Sequence, residues 1–240
     1  MQRSVSVQGN RLPARYEQEW GTEFWSFVHR ALSPAATVLD VGPGRTPTIP
    51  ISERPPRTHY VGLDASPQEL QSAPQGSYDE IVVSDAEVAV PALFDRFDLI
   101  VSWYVLEHIR HLDRAASVFH QYAKPGGWFV ACLSGRNAVF AIANRLLPPA
   151  IAARVVARLR QRPLESVFPT HYDHCTDRGL RRAFALWEEL HVIPLWHAAD
   201  YFDRFPRTQR LYLRYENWIA NREIARLSTN YVLAAQKGNR

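Results

Sequence analysis

The chain has 240 residues, 46% of them hydrophobic and 22% charged, with a net charge of +4. That is enough chain for one well-buried core, or a core with a cap, in an ordinary soluble globular protein. No run of about 18 apolar residues is present to span a bilayer. The two cysteines, Cys132 and Cys175, lack companions at CxxC spacing, which argues against a zinc site. The first residues, Met1-Gln2-Arg3-Ser4-Val5, carry no apolar signal core, so a cytoplasmic location is expected.

Along the chain, Tyr16, Trp20, Phe24, Phe27 and Val28 recur at helical spacing and predict a helix over 14–31. It packs on a sheet or also closes over a ligand, with Tyr16 as a contact. Thr37-Val38-Leu39 reads as a buried strand that meets Asp40 and then Gly42 and Gly44. Such glycines permit a tight turn and let a ligand approach the backbone. Prolines 43, 47, 50, 55 and 56 predict a short, irregular first crossover. A second strand, His59 to Asp64, ends in an acid 24 residues after Asp40. That is close to the roughly 20 residues at which an acid meets ribose hydroxyls at the switch point of a doubly wound sheet. A third strand, Ile81 to Ala86, carries Asp85, and a fourth, Phe97 to Ser102, runs into Trp103-Tyr104-Val105-Leu106-Glu107-His108-Ile109. A helix over 112–123 is stopped by Lys124-Pro125-Gly126-Gly127, and the fifth strand follows at 128–133, with Cys132 as a core thiol.

Residues 136–162 read as amphipathic helix broken by Pro148-Pro149, and 163–174 as a loop. A helix over 176–190, with Leu180, Phe184, Trp187 and Leu190 on its inward face and Leu186 beside them, precedes strand six at 191–196. A helical insertion over 206–226 precedes the last strand at 229–236. No repeat is present.

Asp40-Val41-Gly42-Pro43-Gly44-Arg45-Thr46 resembles motif I, Asp-x-Gly-x-Gly-x-Gly, of the class I S-adenosylmethionine-dependent methyltransferases, with Thr46 in place of the third glycine. Val105-Leu106-Glu107-His108-Ile109 resembles a signature of the small-molecule, type 11-like members, and Ala123-Lys124-Pro125-Gly126-Gly127 their Leu-Lys-Pro-Gly-Gly. The likeness is close over 35–135 and looser over 165–237. It implies a single domain with a Rossmann-like α/β fold. Its seven-stranded sheet would be mostly parallel with an antiparallel last strand. Around the 35–135 cofactor core it places an N-terminal segment, 1–34, helical cap insertions at 136–174 and 198–228, and the rest of the core at 175–197 and 229–237.

The implied cofactor is S-adenosyl-L-methionine. The implied cofactor set is Asp40, Gly42, Pro43, Gly44, Asp64, Ala65, Asp85, Ala86, Ser102, Trp103 and Tyr104, with Tyr16 from the N-terminal helix. In it Asp64 takes the ribose hydroxyls and Asp85 the adenine amino group. Trp103 and Tyr104 either face the sulfonium as cation–π partners or pack. The implied reaction is methyl transfer to an oxygen or nitrogen of a small molecule, with a lipid, sugar-lipid or aromatic acceptor suggested by the apolar insertions. A base is wanted where the nucleophile must lose a proton. His108, oriented by Glu107, is one candidate, and His171 with Tyr172 and His174 in the cap loop is the rival group. No metal is expected.

An isoelectric point near 9.2 and arginines crowded at 145–162 and 204–214 invite a nucleic-acid reading. Ser102-Trp103-Tyr104-Val105 lacks the Asp/Asn-Pro-Pro-Tyr of base-amino methyltransferases, so nucleic acid is not expected as a partner. The segment 139–160 packs as cap or lies on a membrane surface. A non-catalytic cofactor-binding protein and an RNA methyltransferase remain as other readings. A nicotinamide oxidoreductase is disfavoured by Thr46-Pro47, and the sequence leaves the oligomeric state open.

Overall fold

The computed structural model describes residues 12–17, 21–139, 141–142, 170–203 and 205–239. Trp20, most of the insertion read over 136–162 and the Phe168-Pro169 part of its loop lie outside them.

Seven strands form one sheet: β1 (Thr37–Val41), β2 (His59–Asp64), β3 (Glu80–Val83), β4 (Phe97–Trp103), β5 (Ala123–Ser134), β6 (Glu189–Leu195) and β7 (Asn230–Gln236). Their order is β3-β2-β1-β4-β5-β7-β6. β1 to β5 pair in parallel, and β7 runs antiparallel between β5 and β6. The chain therefore has the expected Rossmann-like fold. The order reverses at β1, whose two neighbours are β2 and β4. A doubly wound sheet binds its ligand at such a switch point, outside the carboxyl ends of the strands.

Both faces of the sheet are covered, which is why the central strands are apolar throughout rather than alternating. On one face Phe24, Phe27 and Val28 of α1 (Thr22–Ala31) pack on Val38, Leu99 and Val130. On the other, α3 (Leu112–Tyr122) and α4 (Asp177–Ala183) bury Phe119 and Phe184 against Phe129, whose ring lies 5.0 and 5.1 Å from theirs. The short α2 (Pro67–Gln71) follows β2, with Ser66 as its N-cap. A third cluster, Ala198, Ala199, Tyr212 and Leu213 with Leu12, Tyr16 and Phe202 against it, joins the N-terminal turn to α5 (Pro206–Ala220). Ala198, Ala199, Phe202, Tyr212 and Leu213 fall in the 198–228 segment that the sequence reads as a cap insertion. Among the described residues no helix is long and apolar enough to cross a membrane.

Several boundaries differ from expectation. The helix over 14–31 is a 3-10 turn, Ala14–Tyr16, and a separate α1, divided around Gly21. Gly21 has φ 88°, and a Cβ there would lie 2.9 Å from the Trp103 ring. β3 stops at Val83, so Asp85 sits in the turn beyond it. β5 begins at Ala123, and Lys-Pro-Gly-Gly forms an irregularity inside it, where the register to β4 shifts between Phe97 and Leu99. α4 ends at Ala183 and leaves Leu186 exposed, and α5 ends at Ala220. Both cysteines are free and buried.

Gly62, in the middle of β2, faces the Tyr78 ring, and a Cβ there would lie 2.8 Å from it. Gly62→Ala should lower unfolding stability by about 1–3 kcal/mol through overpacking, measured by urea denaturation.

Candidate active site

The loop after β1 is fixed from below. Asp40 is wholly buried and accepts hydrogen bonds from the Thr48 amide (2.6 Å), the Thr48 hydroxyl (2.7 Å) and the Tyr60 hydroxyl (2.6 Å). Burial pushes its carboxyl up from 3.8 to about 6, and the three donors pull against that shift. Both oxygens thus bond the protein, and complete burial closes them to solvent. The sequence reading gave Asp40 to the ligand; the structure gives it to the loop over 42–48, because its strand position points it under that loop toward Tyr60.

Gly42 and Gly44 take φ 70° and 57°, a backbone region open to glycine. A Cβ on Gly42 would lie 2.6 Å from the Val105 methyls, so the turn after β4 closes directly over the turn after β1. Gly44 donates its amide to Asp64 Oδ2 (3.0 Å) and accepts from the Tyr78 hydroxyl (3.0 Å). Asp64 Oδ1 accepts the Ser66 amide (2.8 Å). Asp64 is only half-buried, and burial raises its carboxyl above the ordinary value. A carboxylate has about four lone-pair sites, so both Asp64 oxygens retain acceptor capacity. Next to it a Cβ on Gly44 would fill space 3.4 Å from Glu69 Oε2 and 4.0 Å from Asp64 Oδ2. A half-exposed acceptor beside a side-chain-free turn fits the diol of a nucleoside.

Arg45 bridges Glu69 at the rim (2.5 and 2.9 Å). Pro43 is half-buried in the turn, and Ala65 is exposed just past Asp64. Asp85 is exposed, accepts the Glu87 amide (2.8 Å), and lies two residues past Val83, the register partner of Asp64. Ala86 packs half-buried on the core.

At the end of β4, Ser102 is wholly buried and donates to the Val41 carbonyl (3.3 Å), so it ties β4 to β1 rather than facing a ligand. Trp103 packs edge-on to Phe24 (4.8 Å) and Tyr104 (5.5 Å). Tyr104, at φ 58°, donates its hydroxyl to Asn230 Oδ1 (3.2 Å). Glu107 is buried, with Oε1 near the Ser134 amide (3.4 Å) and Oε2 without a hydrogen-bond partner among the described residues. Burial pushes its carboxyl up, and neighbouring His108 opposes that shift.

The Glu107 carbonyl accepts the amides of both His171 (2.9 Å) and Tyr172 (3.0 Å). The two rival histidine groups therefore meet at one turn. His108 is half-buried and His171 exposed. Tyr172, only 4% exposed and at φ 53°, belongs to the main core, so its ring packs the loop down instead of reaching toward an acceptor. His174 pairs with Asp173 at 3.6 Å.

Tyr16 also departs from expectation. Its hydroxyl donates to Glu216 Oε2 (2.5 Å) and accepts the Ala199 amide (2.8 Å), and its ring stacks on His197 at 3.8 Å. In this structure it joins the N-terminal turn to the 197–216 region. Glu216, wholly buried, also accepts Arg15 (2.7 Å) and the Ala198 amide (2.8 Å). Sequence reading missed Glu216. The available signal was its place on the inward stripe Gln209, Tyr212, Leu213, Glu216, Ile219 of an arginine-rich helix.

The sequence pattern of the methyltransferase-domain family matches residues 15–186. The chain belongs to that family, and its fold is that of the class I S-adenosylmethionine-dependent methyltransferases. Among solved structures it is similar to a Haemonchus contortus phosphoethanolamine N-methyltransferase 2 in complex with phosphomonomethylethanolamine and S-adenosylhomocysteine (TM-score 0.55, 16% identity, 91% of this chain and 53% of that one). It is also similar to an S-adenosylmethionine-dependent methyltransferase from Archaeoglobus fulgidus (TM-score 0.56, 13% identity, 90% and 91%). A third is a Haloferax volcanii complex of the Trm112 methyltransferase activator with a methyltransferase (TM-score 0.55, 17% identity, 95% and 92%). The chain spans about half the length of the Haemonchus enzyme. No curated protein matches the sequence. S-adenosylmethionine is the cofactor of this class.

Asp40 makes stability depend on pH. Between about pH 4 and pH 6 the native carboxyl keeps a proton that the unfolded chain has released. Its contribution is therefore present at low pH and lost as pH rises through about 6. Asp40→Asn should gain about 2–3 kcal/mol relative to the parent across that window. Urea denaturation at a series of pH values checks this, and parallel profiles would count against it.

Proposed function

We propose that the chain transfers a methyl group from S-adenosylmethionine to an oxygen or nitrogen of a small molecule, lipid- and sugar-linked acceptors included. The observation that carries the reading is the half-exposed Asp64 carboxylate, with acceptor capacity left over, beside the Gly42–Gly44 turn at the switch point of the sheet. Asp64 would hold the ribose hydroxyls and Asp85 the adenine amino group. Asp40 holds the loop that presents the glycines. S-adenosylmethionine supplies a methyl already activated by its sulfonium. The residues then have to align an attacking atom, exclude water and accept any proton released.

His108 is assigned the proton. It lies on the turn that follows β4, where Val105 of the same turn closes on Gly42. Histidine is the side chain whose ordinary pKa suits proton transfer near neutral pH. Glu107 acts as a positioning residue. Its carbonyl holds the 171–172 segment, and its buried carboxyl adjoins His108. His171 stands at the exposed rim of the same turn. The small phosphorylated amine held by the Haemonchus enzyme is in keeping with a small-molecule acceptor.

Asp64→Ala should weaken S-adenosylhomocysteine by about 1–3 kcal/mol in a calorimetric titration, with no heat for NAD in either protein. Unchanged affinity in a folded variant would falsify the ribose assignment. With an acceptor in hand, His108→Ala should slow the single-turnover step about a hundredfold or more and leave cofactor affinity near the parent's. If His171→Ala slows it instead, the proton goes to the cap loop. If neither does, the acceptor needs no base.

A further inference from the structure

The outward face of α5 is built unlike a solvated helix face. Arg207, Leu211, Arg214 and Trp218 recur every three or four residues along it, with Arg210 alongside and Arg222 just past its end, and all six are exposed. Leu211 is 69% and Trp218 47% exposed. Two further large side chains, Phe205 (62%) at the start of the helix and Tyr201 (57%) in the turn before it, are also solvent-exposed. The acid of this helix, Glu216, is turned inward and already paired with Arg15. Among the described residues Arg207, Arg210 and Arg214 meet no carboxylate. The Arg222 guanidinium lies 5.1 Å from the centre of the Trp218 ring.

Leu211 and Trp218, seven residues apart, form an apolar stripe flanked by arginines on that face. Nucleic acid would be met by the arginines and by stacking on Trp218, but it offers little to Leu211 or Phe205. A bilayer surface carrying anionic lipid satisfies both kinds of residue. Guanidinium groups reach the phosphates, while leucine and aromatic side chains enter the boundary between headgroups and acyl chains. The arginine stems can lie along that apolar layer with their heads in the polar one. We infer that the outer face of α5 docks the protein on an anionic membrane surface. The inference concerns binding alone and stands whether or not the proposed methyl transfer is correct.

The test is co-sedimentation of the full chain with vesicles of phosphatidylglycerol in phosphatidylcholine, against pure phosphatidylcholine. Binding should require the anionic lipid and weaken with added salt. The variant Arg207→Gln, Arg210→Gln, Arg214→Gln should lose about a hundredfold in partitioning, and Leu211→Ser with Trp218→Ser should also lose most of it. All five positions are exposed, so S-adenosylhomocysteine affinity and thermal unfolding should stay at parent values, and Trp218→Gln alone serves if the double variant misfolds. Absence of binding, or parent-like binding by the arginine variant, overturns the assignment. So does tight binding of a single-stranded RNA that falls in the arginine variant but is indifferent to Leu211→Ser and Trp218→Ser, since that marks a nucleic-acid face.

Discussion

Asp40 is a carboxylate that water cannot reach, and the cofactor crevice depends on it. Burying such a group is costly unless the protein supplies donors in place of water. Three donors do so, two from Thr48 and one from Tyr60, and they lie eight and twenty residues away in sequence. Satisfying Asp40 therefore fixes the path of the whole loop from Gly42 to Thr48 and its distance from β2. The positive φ angles of Gly42 and Gly44 follow from that path. So does the closeness of Gly44 to Asp64, the acid proposed to hold the nucleoside. A glycine-rich turn alone is permissive; the buried acid beneath it makes the turn one shape.

The same device recurs twice above the strand ends. Glu107 is buried where β4 leaves the sheet, and its residue binds the 171–172 segment through its carbonyl. Glu216 is buried inside the cap and gathers Arg15, Tyr16 and Ala198. Each acid joins segments that are far apart in the chain. Each sits at the carboxyl end of the sheet, where loops would otherwise be held by few apolar contacts. The two differ in satisfaction. Glu216 has donors for both oxygens, whereas one oxygen of Glu107 has none among the described residues. Glu107 is thus the less settled member.

The sheet was legible in the sequence because its signals are local. Short apolar runs ending in acids, glycines at fixed spacing and the Lys-Pro-Gly-Gly stop each declare themselves within a few residues. What was not legible depends on distant partners. An acid before two glycines looks the same whether it faces a ligand or the loop, and only Tyr60 and Thr48 decide. The break at Gly21 is set by the Trp103 ring, more than eighty residues away. Three polar aromatics in the 171–174 loop suggested a ligand-facing group. Tyr172 instead fills the core, while His171 beside it stays exposed and His174 is half-buried. Tyr16 was read as a cofactor contact from helical spacing, and that helix is not continuous.

The two histidine candidates are therefore not separate hypotheses about separate places. Two amide bonds to one carbonyl hold the 171–172 segment on the turn that carries His108, and the buried ring of Tyr172 prevents the segment from lifting without opening the core. A movement of the loop that displaces His171 must also disturb Glu107, and through it the surroundings of His108. A change at the 171–172 segment would then be felt at His108, the proposed proton acceptor, through packing and hydrogen bonds, without a direct contact. The cap is in turn tied to the N-terminal turn by Glu216, so the segment before α1, far from the strand ends in sequence, helps set the shape of the crevice mouth.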